Sequence, residues 1–311
     1  MKRYLVTGGA GFIGSHVVDA LLLSGARVRV VDDLSTGHVH NLDPRAELVV
    51  GDVADPSLIG DAVSDVDGII HLAAIASVNR SNVDWLGTHR ANQTATVSVL
   101  DAARNRGGIP VVYASSAAVY GDVSTMPISE NTKTQPRSAY GVDKLGSELH
   151  AFVAALVHNV PSVGLRFFNV YGPRQDPSSP YSGVISIFAR RIIDSAPITI
   201  HGNGGQTRDF VFVADVVDHV LAALALLEAQ EVSSSYIANV CTGRPTTIMS
   251  LAQAMFSVSD RTVPLIYEES RPGDIRDSVG DPTLATSLLG VRAGVEIKAG
   301  LAATMGASLQ V

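Results

Sequence analysis

The stretch YLVTGGAGFIG, residues 4–14, constrains this chain more than any other. A short apolar run ends in glycine. Gly8, Gly11 and Gly14 then recur at three-residue spacing ahead of a helical pattern that continues through Leu23. Glycines so placed permit a tight strand-to-helix turn and a close approach of backbone to a pyrophosphate seated on the helix N-terminus.

Further β-branched runs come after it: VRVVD (28–32), ELVVGD (47–52), GIIHLAA (68–74), VVYASS (111–116) and VGLRFFN (163–169). Helical stretches separate most of them, notably 88–106 and 138–158. Strands alternating with helices imply a parallel sheet with right-handed crossovers, and the lack of polar alternation implies helices on both faces. The expected fold is α/β, a Rossmann-type doubly wound parallel sheet with a smaller interleaved C-terminal α/β region. Residues 1–168 are expected to form the dinucleotide-binding domain, with 209–240 returning to it. Residues 169–208 and 241–311 are expected to form the substrate region. GPRQDPSSPYSG (172–183) and HGNGGQTRDF (201–210) read as long loops, with helices at 184–194 and 214–227.

Composition narrows the partners. With 46% hydrophobic and 17% charged residues, the 311-residue chain is globular. A net charge of −7 provides no general field for nucleic acid or anionic lipid. The single Cys241 excludes an internal disulfide and suits a reducing compartment. MKRYLVTGGAG lacks a signal-peptide run, and no apolar stretch reaches membrane-spanning length, so a cytoplasmic protein is expected. No metal site is expected.

The ends of the later strands give the glycine loop its meaning. Asp32 ends the second strand, where a carboxylate would bind adenosine ribose hydroxyls and repel a 2′-phosphate; no arginine comes next in DDLSTG, so the cofactor is NAD rather than NADP. Asp52 and Val53 mark the adenine edge. Leu72, Ala73 and Ala74 end the fourth strand, with small side chains where backbone would pass the dinucleotide. Phe12, Ile13 and Asn92 complete the candidate cofactor contacts, with Tyr140 and Lys144.

SAYGVDK (138–144) places Tyr140 and Lys144 on one helix face. Such a pair is often only a helix-stabilising contact. Here SSAAVYG (115–121) brings Ser116 to the carboxyl edge of the sheet, where ligands of such sheets bind. Hydroxyl, phenol and ammonium form a proton-transfer set. A nearby lysine and a positive nicotinamide ring should both lower the phenol's proton affinity from its usual pKa of about 10.

Over nearly its whole length the chain resembles the extended short-chain dehydrogenase/reductases, and within them the UDP-sugar 4-epimerases of the UDP-galactose 4-epimerase type. The glycine loop, Asp32, HLAA, SSAAVYG, YGVDK and RFFNVYGPRQDP carry the resemblance. It implies Ser116, Tyr140 and Lys144 as the catalytic set. Asn169, Arg208, Arg271 and Asp274 are implied to hold the nucleotide diphosphate and uridine ribose, with Phe168 and Val184 as further substrate contacts. Ser278, seven residues after Arg271, stands at the family's size gate, and its small side chain leaves room for a 2-acetamido group. Ser116, Ala117 and Ala118 occupy positions where related dehydratases and decarboxylases carry an acid, so redox at C4 alone remains. Two departures stand out: Ala95 where glycine is usual, and His201 where an aromatic is commoner.

The expected activity is NAD-dependent C4 epimerisation of UDP-glucose and UDP-galactose, or of the N-acetylhexosamine pair, through a 4-keto intermediate. A UDP-glucuronate epimerase is the alternative, its carboxylate requiring donors such as Arg80, Arg137 or Arg174. A non-catalytic NAD or nucleotide-sugar sensor and a sugar reductase are the other readings. A homodimer formed across helices 88–106 and 138–158 is expected from the family.

Overall fold

The computed structural model describes residues 1–176, 183–269 and 275–308. Six strands come first: β1 (Arg3–Thr7), β2 (Arg27–Asp32), β3 (Glu47–Val50), β4 (Gly68–His71), β5 (Val111–Ser116) and β6 (Ser162–Phe167). The chain then adds β7 (Asn169–Tyr171), β8 (Ile198–His201), β9 (Thr207–Arg208) and β10 (Phe210–Phe212), before β11 (Ser235–Val240) returns to the first sheet. Last come β12 (Thr246–Thr247), β13 (Leu265–Glu268) and β14 (Asp277–Ser278).

The main sheet has seven strands in the order β3-β2-β1-β4-β5-β6-β11, parallel throughout. Its order reverses beside β1, which creates the crevice where ligands of doubly wound sheets bind. The 201–210 stretch is not wholly loop. It contains β9 and runs into β10, because β9 pairs with both β12 and β14.

The helices are α1 (Phe12–Leu23), α2 (Pro56–Ala62), α3 (Val78–Val83), α4 (Trp85–His89), α5 (Ala95–Asn105), α6 (Ala139–His158), α7 (Val184–Ile193), α8 (Val213–Glu228), α9 (Ile248–Ser259), α10 (Thr283–Leu289) and α11 (Ile297–Ser308). On one face of the sheet α1 and α8 bury Val17, Leu21, Val220 and Leu224. On the other, α2, α5 and α6 bury Ile59, Val99 and Ala151. A third core, with Phe188, Ile198, Leu251 and Leu301, binds α7, α9 and α11 around β8. Apolar strands buried on both faces explain the unalternating runs.

Local signals place α6. The Ser138 hydroxyl accepts from Gly141 N at 3.1 Å at its start, and Asn159 ends it in the left-handed region at φ 55°. Its buried face carries Lys144, Ser147, Glu148 and Ala151, at helical spacing. The predicted helix 88–106 is interrupted: residues 90–94 form a π-turn between α4 and α5. Among the described residues no helix is long and apolar enough to cross a membrane.

Candidate active site

The glycine turn sits over the end of β4. Gly8 adopts φ +69°, and a Cβ there would lie 2.6 Å from Ala73 N. At Gly14 a Cβ would collide with the Gly8 carbonyl oxygen. A side chain at Gly8 would press into the 72–73 backbone, and one at Gly14 would press into the turn itself, against Gly8 and Gly9. Gly11 N closes the turn onto Gly8 O at 3.1 Å. The glycine cradle and the half-buried start of α1 suit a diphosphate.

Around this turn lies a cleft of about 520 Å³. Its lining includes Gly8, Gly11, Phe12, Ile13, Gly14, Asp32, Asp52, Val53, Leu72, Ala73, Ala74, Ser116, Tyr140, Lys144 and Phe168. Residues read separately from the sequence thus share one wall-to-wall space, of a size usual for ligand sites. The Asp32 carboxylate is buried; Oδ2 accepts from Ala10 N and Oδ1 from Leu34 N, each at 2.9 Å. Burial raises its pKa, and those two N–H donors oppose the rise. With two lone pairs on each oxygen, the carboxylate retains acceptor capacity for a ribose diol. The chemistry of turn, carboxylate and cleft therefore fits NAD.

Asn92 lies outside the cleft lining. It is buried in the π-turn, where Oδ1 accepts from Ile75 N at 2.7 Å and Nδ2 donates to Ile75 O at 3.2 Å. The amide grips both polar groups of one residue in the loop after β4. It positions that wall rather than facing the cleft.

At the other end, Lys144 Nζ donates to Ala114 O at 2.8 Å and lies 5.9 Å from the Tyr140 ring centroid. Burial drives its pKa down to about 8, against the raising influence of the Asp143 and Glu148 carboxylates. Ser116 Oγ accepts from Ala118 N at 3.1 Å, and its hydroxyl is close enough to the Tyr140 phenol to act on its proton affinity. The electrostatics differ from the expectation. Burial raises the pKa of Tyr140, and Ser116 rather than Lys144 provides the opposing pull. Desolvation favours the neutral phenol, and the ammonium is directed at a carbonyl.

Behind Ser116, the Ser115 hydroxyl donates to Glu148 Oε1 at 2.5 Å. Glu148 also receives Arg166 Nε at 2.8 Å and Nη2 at 2.7 Å, both side chains being buried. Arg166 reaches Tyr120 Oη at 2.8 Å. Sequence reading missed this network; the spacing of Glu148, four residues after Lys144, was the available signal. Ser35 and Thr36, in DDLSTG, and Gln175, in the 172–183 loop, also line the cleft.

The candidate substrate residues are more dispersed. Asn169, in β7, donates to Asp209 O at 3.3 Å and Val184 opens α7; neither lines the cleft. Arg208 and Ser278 are in register on neighbouring strands β9 and β14, also outside that lining. Arg208 donates to Thr207 O at 2.8 Å and Arg276 O at 3.2 Å. The strand segment is fixed by buried Asp209, which accepts from Thr242 N at 2.8 Å, Gly243 N at 2.9 Å and Gly280 N at 3.2 Å. Arg271 and Asp274 lie outside the described residues. Arg137 is paired with Asp122 at 3.2 Å and Arg174 with Asp19 at 2.8 Å, whereas Arg80 lines the cleft. His201 ends β8, 3.7 Å from Glu268, and Ala95 is buried at the start of α5.

Residues 4–241 match the NAD dependent epimerase/dehydratase family. A UDP-glucose 4-epimerase of Mycolicibacterium smegmatis is 36% identical over 310 residues, covering 97% of both chains. The solved UDP-glucose 4-epimerase of Thermotoga maritima, with UDP-glucose, superposes at TM-score 0.93 with 34% identity over 99% of both chains. A UDP-N-acetylglucosamine 4-epimerase of Methanobrevibacter ruminantium, in complex with UDP-N-acetylmuramic acid, reaches TM-score 0.93 at 31% identity, covering 99% of this chain and 98% of that one. The glycine cradle, the buried Asp32 and the Ser116–Tyr140–Lys144 wall are thus the site of a chain that belongs to the NAD dependent epimerase/dehydratase family.

Proposed function

We propose that this protein interconverts UDP-sugars that differ in configuration at C4, through a transient 4-keto sugar. The observation that carries the reading is the shared cleft: the Ser116–Tyr140–Lys144 group opens onto the same space as the glycine turn and Asp32. NAD, when bound there, supplies the acceptor and the returning donor of hydride.

In this reading Ser116 holds the sugar O4 beside the phenol, and Tyr140 Oη removes and later restores its proton. Lys144, anchored on Ala114 O, keeps a positive charge at this end of the cleft; at neutral pH its pKa of about 8 keeps most of the ammonium protonated. Phe167 and Phe168 give the cleft an apolar side. The sugar must turn over between proton removal and return, so binding belongs to the UDP. Asn169, Val184, Arg208, Arg271, Asp274 and Ser278 are proposed to hold it, the arginines engaging phosphate oxygens. Ser278 beside Arg208 leaves space for either a hexose or a 2-acetamido sugar, and the M. ruminantium relative supports the second. Of the three candidate donors to a glucuronate carboxylate, Arg137 and Arg174 are committed to aspartates.

We also infer a cytoplasmic homodimer. Leu149, Phe152 and Leu156 lie along the outward face of α6, exposed at 61, 57 and 72%. A buried free thiol at Cys241 suits a reducing compartment.

The test is incubation of the purified protein, without added NAD, with UDP-glucose, UDP-N-acetylglucosamine and UDP-glucuronate separately, followed by NMR. Appearance of the C4 epimer from one of them establishes reaction and substrate together. No epimer from any, even after NAD addition and with UDP-sugar binding intact, would replace this reading with a non-catalytic sensor.

A further inference from the structure

The cleft's charged side chains divide by end. Asp32, Asp33 and Asp52 lie toward the adenosine end, and each is already engaged. Asp32 takes its two backbone donors, Asp33 holds Ser35 N at 2.9 Å and Oγ at 2.6 Å, and Asp52 pairs with Arg90 at 2.9 Å. Among the described residues, two cations line the same space, Lys144 and Arg80. Lys144 is tied to the Ala114 carbonyl behind Tyr140. Among the described residues, the half-buried Arg80 guanidinium has no acceptor of any kind.

Its backbone, by contrast, is firmly held. Arg80 N donates to the capping Ser77 Oγ at 3.1 Å in the first turn of α3. The loop leading there is fixed by Leu72 N on Thr7 O at 3.1 Å and by the two-point grip of Asn92 on Ile75. Ile75 and Ala76 line the cleft with it. A guanidinium presents a planar fork of donors and cannot shed its charge, so leaving it partly desolvated without an acceptor is costly. Its acceptor is expected to arrive with a ligand.

We propose that Arg80 engages the diphosphate of the bound dinucleotide, from α3, which follows the post-β4 segment that borders the glycine turn. That diphosphate carries two negative charges. The turn offers backbone N–H groups and the partial charge of a helix end, worth about half an elementary charge. Asp52 is offset by Arg90, while Asp33 adds a repulsive charge nearby. Arg80 is the side chain that balances it, and its bidentate geometry suits phosphate oxygens. The proposal rests on the cleft being a dinucleotide site.

The test is calorimetric titration of the full chain, Arg80→Gln and Arg80→Lys with NAD and with ADP-ribose, which keeps the diphosphate and lacks nicotinamide. Each is run at low and high salt, with thermal melting as a check on folding. Arg80→Gln is expected to weaken both ligands tenfold or more and to flatten the salt dependence; Arg80→Lys retains part of the affinity because it keeps charge without the fork. Affinities for both ligands within twofold of the unsubstituted protein would overturn the proposal. In that event a KM increase confined to UDP-glucuronate would assign Arg80 to a sugar carboxylate instead. Failure of the unsubstituted chain to bind NAD would be a different result, removing the dinucleotide reading itself.

Discussion

Lys144 Nζ is bonded to the Ala114 carbonyl at 2.8 Å, so the ammonium is anchored to the end of β5 rather than to the phenol 5.9 Å away by ring centroid. Burial brings its pKa down to about 8. Its charge is therefore present below that pH and lost as pH rises through it. If that charge favours the ionised Tyr140, kcat/KM should fall on the alkaline side with an apparent pKa near 8. Lys144→Met should remove this limb and lower the rate by about 10²-fold or more. A pH–rate profile flat from pH 7 to 9.5 would show that the charge of Lys144 is not used.

Tyr140 and Ser116 make separable contributions. Tyr140→Phe removes the group that moves the proton and should reduce kcat by about 10²–10⁴-fold. NAD affinity should be little altered, since the ring remains. Ser116→Ala removes the donor that opposes the burial-driven rise in the phenol's pKa. Its rate should therefore require higher pH, as well as falling. Comparing the two pH profiles at saturating UDP-sugar checks both statements.

Gly8→Ala tests the cradle. The residue sits at φ +69°, and its Cβ would press on Ala73 N. A strained backbone costs about 1–3 kcal/mol, and here the turn would also have to move away from β4. The expected outcome is a lower melting temperature together with NAD affinity reduced by at least tenfold. Gly25→Ala provides the contrast. It has φ +87° with nothing near its Cβ, so it should lose stability while NAD binding is retained.

Patterns that repeat over short spacing were legible in the sequence. Gly8, Gly11 and Gly14, the carboxylate that ends β2, and Tyr140 four residues before Lys144 are local patterns, and the sheet brings them to one cleft. Pairings between distant segments were not legible. Nothing in the sequence indicates that Asn92 grips Ile75, that Arg174 answers Asp19, or that Arg208 lies in register with Ser278. Those depend on chain crossings. The burial of Tyr140 was not legible for another reason: charges can be counted along a sequence, whereas desolvation requires knowing what surrounds the phenol.

The outward face of α6 leads to a prediction about assembly. Leu149, Phe152 and Leu156 recur at three- and four-residue spacing and are more than half exposed. Such a stripe is usual for an interface. Light scattering of the native chain should give the mass of a dimer, and Phe152→Glu should shift it toward the monomer by placing a charge at the seam. A native mass of one chain at micromolar concentration would dispose of the dimer.

Glu148 joins stability to chemistry. It accepts Ser115 Oγ, Arg166 Nε and Arg166 Nη2 in the buried layer behind β5, and its charge helps keep Lys144 protonated. Glu148→Gln leaves the Arg166 guanidinium buried without its counter-charge, a change that usually costs about 3–5 kcal/mol. Chemical denaturation should register that loss. The same substitution removes one of the two carboxylates holding up the Lys144 pKa, so the alkaline limb of kcat/KM should move below pH 8. Replacing both partners, Glu148→Met with Arg166→Met, should restore much of the stability because no uncompensated charge remains. It should not restore the limb, because the Glu148 carboxylate is still absent. A limb that stays near pH 8 in Glu148→Gln would confine the role of Glu148 to packing and leave Asp143 as the carboxylate that supports Lys144.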